Sequence, residues 1–272
     1  MSEETRDPMR AAQANMRPAA IKRFFTKASV GEAEGGGFAL LLDGRRARTP
    51  AKKPLILPTR ALAELVAAEW AGQGETIDPA AMPLTRMANS AIDGVAQAID
   101  ATAADIAKYG ASDLVCYRAG EPETLAQAQA ARWDKVLNYA RENLGARLIC
   151  AEGVNYVEQP EAAKQAILAA VKRIAGTGPA APFALAALHV MTTLTGSALL
   201  ALAVADGVLT PQEAWEAAHV DEDFQTKFWG ADDEALARRA RRWTEMEAAA
   251  GLLRAVRAEA PPNAGPGGAV KI

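Results

Sequence analysis

PFALAALHVMTTLTGSALLALAVADGVLTPQEAWEAAHVDEDFQTKFWG (Pro182–Gly230) is the stretch on which the reading of this chain turns. Its first part, Phe183–Ala205, holds no formally charged residue and is long enough to cross a bilayer as a helix. Yet it contains His189, Thr192, Thr193, Thr195, Gly196 and Ser197, lacks aromatic belts, and is followed by Asp206 where a basic flank belongs. The pattern predicts the buried central helix of a bundle, not a membrane span. His189, Thr193, Ser197, Ala201 and Ala205 recur every four residues as a stripe of mostly small side chains, which lets another helix approach closely. Within that run His189 reads as a satisfied core group.

The second part predicts one helix over Thr210–Gly230. Thr210-Pro211-Gln212-Glu213 is a capping box with proline in its favoured first position. Ala217, Val220, Phe224 and Phe228 form one apolar stripe. Trp215, Glu222 and Trp229, spaced by seven, fall on another face, with Ala218 and Gln225 beside them. Two readings of that second face stand open. Both tryptophans are buried at a domain interface and Glu222 caps or pairs with an arginine, or the face is an exposed recognition surface. A general-base role has no second catalytic group at fixed spacing to support it. Asp221, Glu222 and Asp223 point about 100° apart on a helix, so they and His219 do not converge on a metal.

Outward from this stretch, residues 1–17 are a polar, aperiodic tail. Residues 18–118 predict an α+β domain with a small antiparallel sheet. KRFFTKASV leads to the glycine cluster Gly35–Gly37, and FALLLDGRRART is a hairpin turning at Asp43-Gly44. Helices follow from Thr59 to Gly72, from Pro83, and over Asp100–Tyr109. Residues 119–259 predict an all-helical domain, with helices from Pro122 to near Gly145, over Pro160–Ala175, and from Asp232 to Glu259. The strand-like segment 147–158 is expected to join the N-terminal sheet. Residues 260–272 are a second tail rich in Pro and Gly.

The net charge of −3 advertises neither nucleic acid nor an anionic membrane. The charge is uneven, with ten Lys/Arg against three acids between Arg17 and Arg60, read as an Arg-rich sheet surface or a face for an acidic partner. Arg238, Arg239, Arg241 and Arg242 read as a salt-bridged solvent face. The two cysteines, Cys116 and Cys150, are expected to be reduced core residues. The acidic start MSEETRDPMR matches neither a secretory signal nor a presequence and points to the bacterial cytoplasm, or to a mitochondrial matrix protein if the source is eukaryotic. Phosphate-binding glycine loops, GxSxG and Ser/His/Asp spacings are absent. No catalytic residue, metal or cofactor is therefore assigned.

Three blocks carry a likeness: EWAGQGETIDPAAMPLTRMANSAID (Glu69–Asp93), SDLVCYRAGEPETLAQAQAARWD (Ser112–Asp134) and the run from Leu194 to Gly230. Over roughly residues 20–250 the chain resembles the ATP twelve (ATP12) family of ATP synthase assembly chaperones. The resemblance implies a non-enzymatic chaperone, monomeric when free, that binds the free alpha subunit of the catalytic head until a beta subunit displaces it. It places the family's functional acid on Glu222, with Asp221 as the neighbouring candidate, and matches Gln225 and Trp229. With Trp215 from the helix face, these form the expected partner-binding set. The alternative is a two-domain, small-molecule-binding enzyme with an interdomain cleft.

Overall fold

The basic N-terminal segment folds as the antiparallel sheet that its pattern predicts. In the computed structural model, which describes residues 21–153, 155–230 and 232–258, β1 (Ile21–Lys22) is followed by β2 (Ala28–Glu32), β3 (Phe38–Leu42), β4 (Arg45–Arg46) and β5 (Ile56–Leu57). β3 is the central strand. β2 lies against it with Val30 opposite Leu40, β4 with Leu41 opposite Arg46, and β5 with Ala39 opposite Ile56. Asp43 and Gly44 both take positive φ, 46° and 79°, the mirror-image turn that suits a two-residue hairpin. The Asp43 carboxylate accepts from the backbone N–H groups of Lys27 and Thr26.

Leu40, Leu42 and Leu57 are buried beneath α1 (Arg60–Ala71), whose Leu62, Ala63 and Val66 are fully buried. Thr59 caps α1 by accepting from the Leu62 N–H. β6 (Thr76–Ile77) pairs with β1. α2 (Pro83–Asp93) starts at a proline and is capped from a distance. The Glu69 carboxylate accepts from the N–H of Leu84 at 2.7 Å and of Thr85 at 2.8 Å. α3 (Ile99–Lys108), β7 (Tyr117–Arg118), α4 (Glu123–Asn143), β8 (Ala151–Glu152) and α5 (Glu161–Ala175) follow. The chain is then helical: α6 (Ala181–Thr195), α7 (Ala198–Ala205), α8 (Pro211–Ala218), α9 (Val220–Trp229) and α10 (Asp233–Arg257). The architecture is the expected α+β class, a small antiparallel sheet followed by a helical bundle.

Several expectations need correction. The uncharged run Phe183–Ala205 is two helices, α6 and α7, broken at Gly196, which takes the left-handed conformation (φ 67°) that favours glycine. Ser197 then caps α7 by accepting from the Leu200 N–H at 3.0 Å. The buried Asp113 carboxylate accepts from the N–H of Leu199 at 3.1 Å, so the break is stabilised from across the core. The four-residue stripe therefore does not run along one helix, although α6 is central and packs against α2, α3, α5, α7 and α10. His189 is not a core group: its side chain is 39% exposed, with Nε2 3.3 Å from Asp105.

Segment 147–158 does not join the antiparallel sheet. Its β8 pairs in parallel with β7, Tyr117 opposite Ala151, because α4 is the crossover that returns the chain beside the strand it left. Cys116 is buried as expected, but Cys150 is exposed. Among the described residues no single helix is long and apolar enough to cross a membrane, and only the pair Glu161–Ala175 and Gly178–Thr195, bent by 113°, passes on length and composition. Buried apolar side chains form one cluster from Phe25 to Val256, and α2 and α3 pack on α6. Packing is thus continuous across residue 118. The tails 1–17 and 260–272 lie outside the described residues.

Candidate partner-binding surface

The helix expected across Thr210–Gly230 is interrupted at His219 (φ −115°), which separates α8 from α9. The start is as the sequence predicts. Glu213 Oε2 accepts from the Thr210 N–H at 2.7 Å, and Thr210 Oγ1 accepts from the Glu213 N–H at 3.1 Å. The end is decided by side chains that take carbonyls a continuing helix would use. The His219 imidazole donates from Nδ1 to the Trp215 carbonyl at 2.7 Å, and the buried Trp133 indole on α4 donates to the Ala217 carbonyl at 2.7 Å. The His219 ring lies on Trp215, centroids 4.1 Å apart, and Trp215 packs on Trp243 of α10 at 5.6 Å. Burial pushes His219 below the ordinary imidazole range.

The three consecutive acids diverge as their 100° spacing requires. Asp221 is tied to α4, accepting from Gln129 Nε2 at 2.7 Å, while Gln129 Oε1 accepts from the Ala119 N–H at 2.8 Å. Asp223 is ion-paired with Arg239 of α10. Glu222 lies between these two anchors with its side chain 56% exposed, its Oε2 3.8 Å from His219 Nε2. Gln225, one turn on, is also exposed. Trp229 closes α9, and its side chain, like that of Phe228, lies outside the described residues. Beside this face runs a shallow groove of about 340 Å³ between α8 and α10, lined by Trp215, Glu216, Leu236, Arg239 and Trp243. Leu236 is 49% exposed.

Of the expected set, Glu222 and Gln225 are thus presented to solvent together, and Asp221 is turned inward. Trp215 takes the buried alternative at 4% exposure, because the break at His219 puts it out of phase with Glu222. Sequence reading missed Gln129, whose only signal is a polar residue on the buried stripe Gln129, Trp133, Val136 and Ala140. It also missed Asp113, fully enclosed and pushed up to about 6 by burial, against the hydrogen bonds of Ser197 and Leu199.

Two other surfaces are less suited to chemistry. A cavity of about 240 Å³ beside His189 is lined mostly by apolar groups, and its Arg86 and Glu245 neutralise each other at 2.8 Å. On the N-terminal sheet, Arg45, Arg46 and Arg48 border a groove with the exposed Phe24 and with Trp70. Among the described residues no group of three His, Cys, Asp or Glu is placed to hold a metal.

The family model described as ATP12 chaperone protein matches residues 22–141. The chain is similar to the Atu1473 protein of Agrobacterium tumefaciens, 48% identical over 93% of this chain and 92% of that one, with a TM-score of 0.83. It is similar to Atp12 from Paracoccus denitrificans, 43% identical over 87% of this chain and 99% of that one, with a TM-score of 0.79. A point mutant of the Paracoccus protein, with lysine in place of an aspartate, matches at 42% identity, over 87% and 98% of the two chains, again with a TM-score of 0.79. With these matches, the chain belongs to the ATP12 chaperone family, whose work is ATP synthase assembly.

Proposed function

We propose that this protein binds the free alpha subunit of the F-type ATP synthase catalytic head and covers its apolar interface until a beta subunit replaces it. A subunit face destined for burial aggregates when left open, and a chaperone that masks it needs neither catalysis nor a cofactor. The observation that carries the reading is the presentation of Glu222. Its neighbours Asp221 and Asp223 are locked to α4 and α10, so a rigid helix holds one carboxylate outward. Gln225 adds an adaptable polar contact, and the groove lined by the exposed Leu236 and by Trp243 adds apolar area. The protein acts in the bacterial cytoplasm as a monomer when free. The enzyme reading is not favoured, since the relatives are named chaperones and the cavity beside His189 is lined mostly by apolar groups with its one ion pair, Arg86–Glu245, closed on itself.

The test is co-expression with the cognate alpha subunit, followed by size exclusion and native mass determination. Wild type should give a soluble one-to-one complex, and Glu222→Lys should lose it while keeping its fold. Loss of one desolvated charged partner costs about 2–5 kcal/mol of binding. A complex that survives in the variant removes Glu222 from the interface, and alpha aggregating beside wild type removes the function.

A further inference from the structure

The proposed function makes no use of the two cysteines, yet the fold brings them together. Cys116 directly precedes β7 and Cys150 directly precedes β8. These strands run in parallel with Tyr117 opposite Ala151, so the cysteines face each other one step before the ribbon begins. Neighbouring strands lie about 4.8 Å apart, within the Cα separation of about 4.4–6.8 Å that a disulfide spans. Each thiol lies close enough to the other to shift its acidity. Both are free, Cys116 buried and Cys150 exposed.

Their surroundings divide the roles. Arg118, two residues after Cys116, donates to the Val115 carbonyl at 3.2 Å and to Asp134 at 2.7 Å, and its positive charge acts on Cys150. The neighbouring Cys116 thiol, aided by the Arg118 charge, holds Cys150 below the ordinary thiol range. The neighbouring Cys150, with burial and the nearby Asp113, pushes the Cys116 thiol up. One sulfur is therefore exposed and nucleophilic, and the other is protonated and enclosed beside it.

We infer that Cys116 and Cys150 form an oxidisable dithiol, a modification site that closes to an internal disulfide on contact with a peroxide. The Cys150 thiolate attacks one oxygen of hydrogen peroxide and the O–O bond breaks. The departing hydroxide leaves as water with the proton that the thiol gave up, and Cys150 becomes a sulfenic acid. The Cys116 sulfur then attacks the Cys150 sulfur. The S–O bond breaks, and hydroxide leaves with the Cys116 proton as a second water. Two thiols and one peroxide give one disulfide and two waters. In a reducing compartment such a bond is transient and is reopened by thiol exchange. It fastens the two ends of the α4 crossover, and α4 carries the Gln129 and Trp133 that hold α8 and α9.

The test uses the reduced full-length protein with a small excess of hydrogen peroxide. The intact mass should fall by two hydrogen atoms. Tryptic digestion without reductant should yield the peptide 109–118 joined to the peptide 148–164, and dithiothreitol should separate them. Cys150→Ser, at an exposed position, should keep its fold and leave Cys116 an unmodified thiol under the same treatment. Cys150 recovered as a sulfinic acid beside a free Cys116, chains cross-linked as dimers through Cys150, or no reaction of either thiol would each overturn the inference.

Discussion

Replacing Gln129 with leucine should loosen α9 while leaving the rest of the chain folded. Gln129 is 2% exposed, and its amide makes two bonds, accepting from the Ala119 N–H at 2.8 Å and donating to Asp221 at 2.7 Å. Leucine has nearly the same volume and makes neither. A hydrogen bond to a charged acceptor contributes about 1.5–3 kcal/mol and a neutral one about 1 kcal/mol. Asp221 is partly exposed and regains water, so the low end applies to it, and the whole loss is about 2–3 kcal/mol. Only the Asp221 share, about 1.5–2 kcal/mol, falls on α9, because the Ala119 share belongs to the start of α4. At about 1.4 kcal/mol per tenfold, local opening of α9 becomes about 10–30 times more frequent. Hydrogen exchange resolved by residue reads this directly. The amides of 220–229 should accelerate by that factor, while those of α6 and α10 slow or hasten only with global stability. Asp221→Ala should act alike, and the double variant should cost less than the sum of the singles. Unchanged exchange in 220–229, or strict additivity, would refute the view that this bond fixes α9.

Three further outcomes follow from buried groups. Trp133→Phe strands the Ala217 carbonyl and should lower the unfolding free energy by about 1–3 kcal/mol in urea titration; an unchanged midpoint would remove the indole bond from the account of the helix break. Asp113 is raised to about 6 from 3.8, so the folded state keeps a proton that the unfolded state releases between those values. Its contribution thus favours folding less as pH rises from about 4 to 6, by about 3 kcal/mol in all. The stability difference between wild type and Asp113→Asn, followed across that window, should shift toward the variant as pH rises, and a flat difference would contradict the enclosure of Asp113. Alkylation of Cys150, which lies near Cys116 and Arg118, should reach half its plateau rate below the ordinary thiol value of about 8.5; a midpoint at or above that value would contradict that neighbourhood.

Much of the fold is legible because its signals are local. Asp43-Gly44 names its own turn type, Thr59 and Thr210 name helix starts, and Gly72 and Asp232 bracket helices found within a residue or two of expectation. The family was legible for a related reason, since whole blocks such as Glu69–Asp93 carry it. The break inside Phe183–Ala205 was within reach, as Gly196-Ser197 is a stop followed by a cap, but composition masked it. The break at His219 was not within reach. It depends on Trp133, more than eighty positions away, taking a carbonyl of the last turn of α8.

The α+β class, the order of most helices, the capping box and the family are carried by local sequence, which also names Glu222, with Asp221 beside it, as the candidate acid. Tertiary structure alone decided which of three adjacent acids faces outward, that Trp215 is enclosed, and that Cys116 meets Cys150. Helical spacing separates Asp221, Glu222 and Asp223 by angle but does not say which direction holds water and which holds another helix. That assignment comes from Gln129 and Arg239, distant residues whose hydrogen-bonding groups arrive only when α4 and α10 have packed.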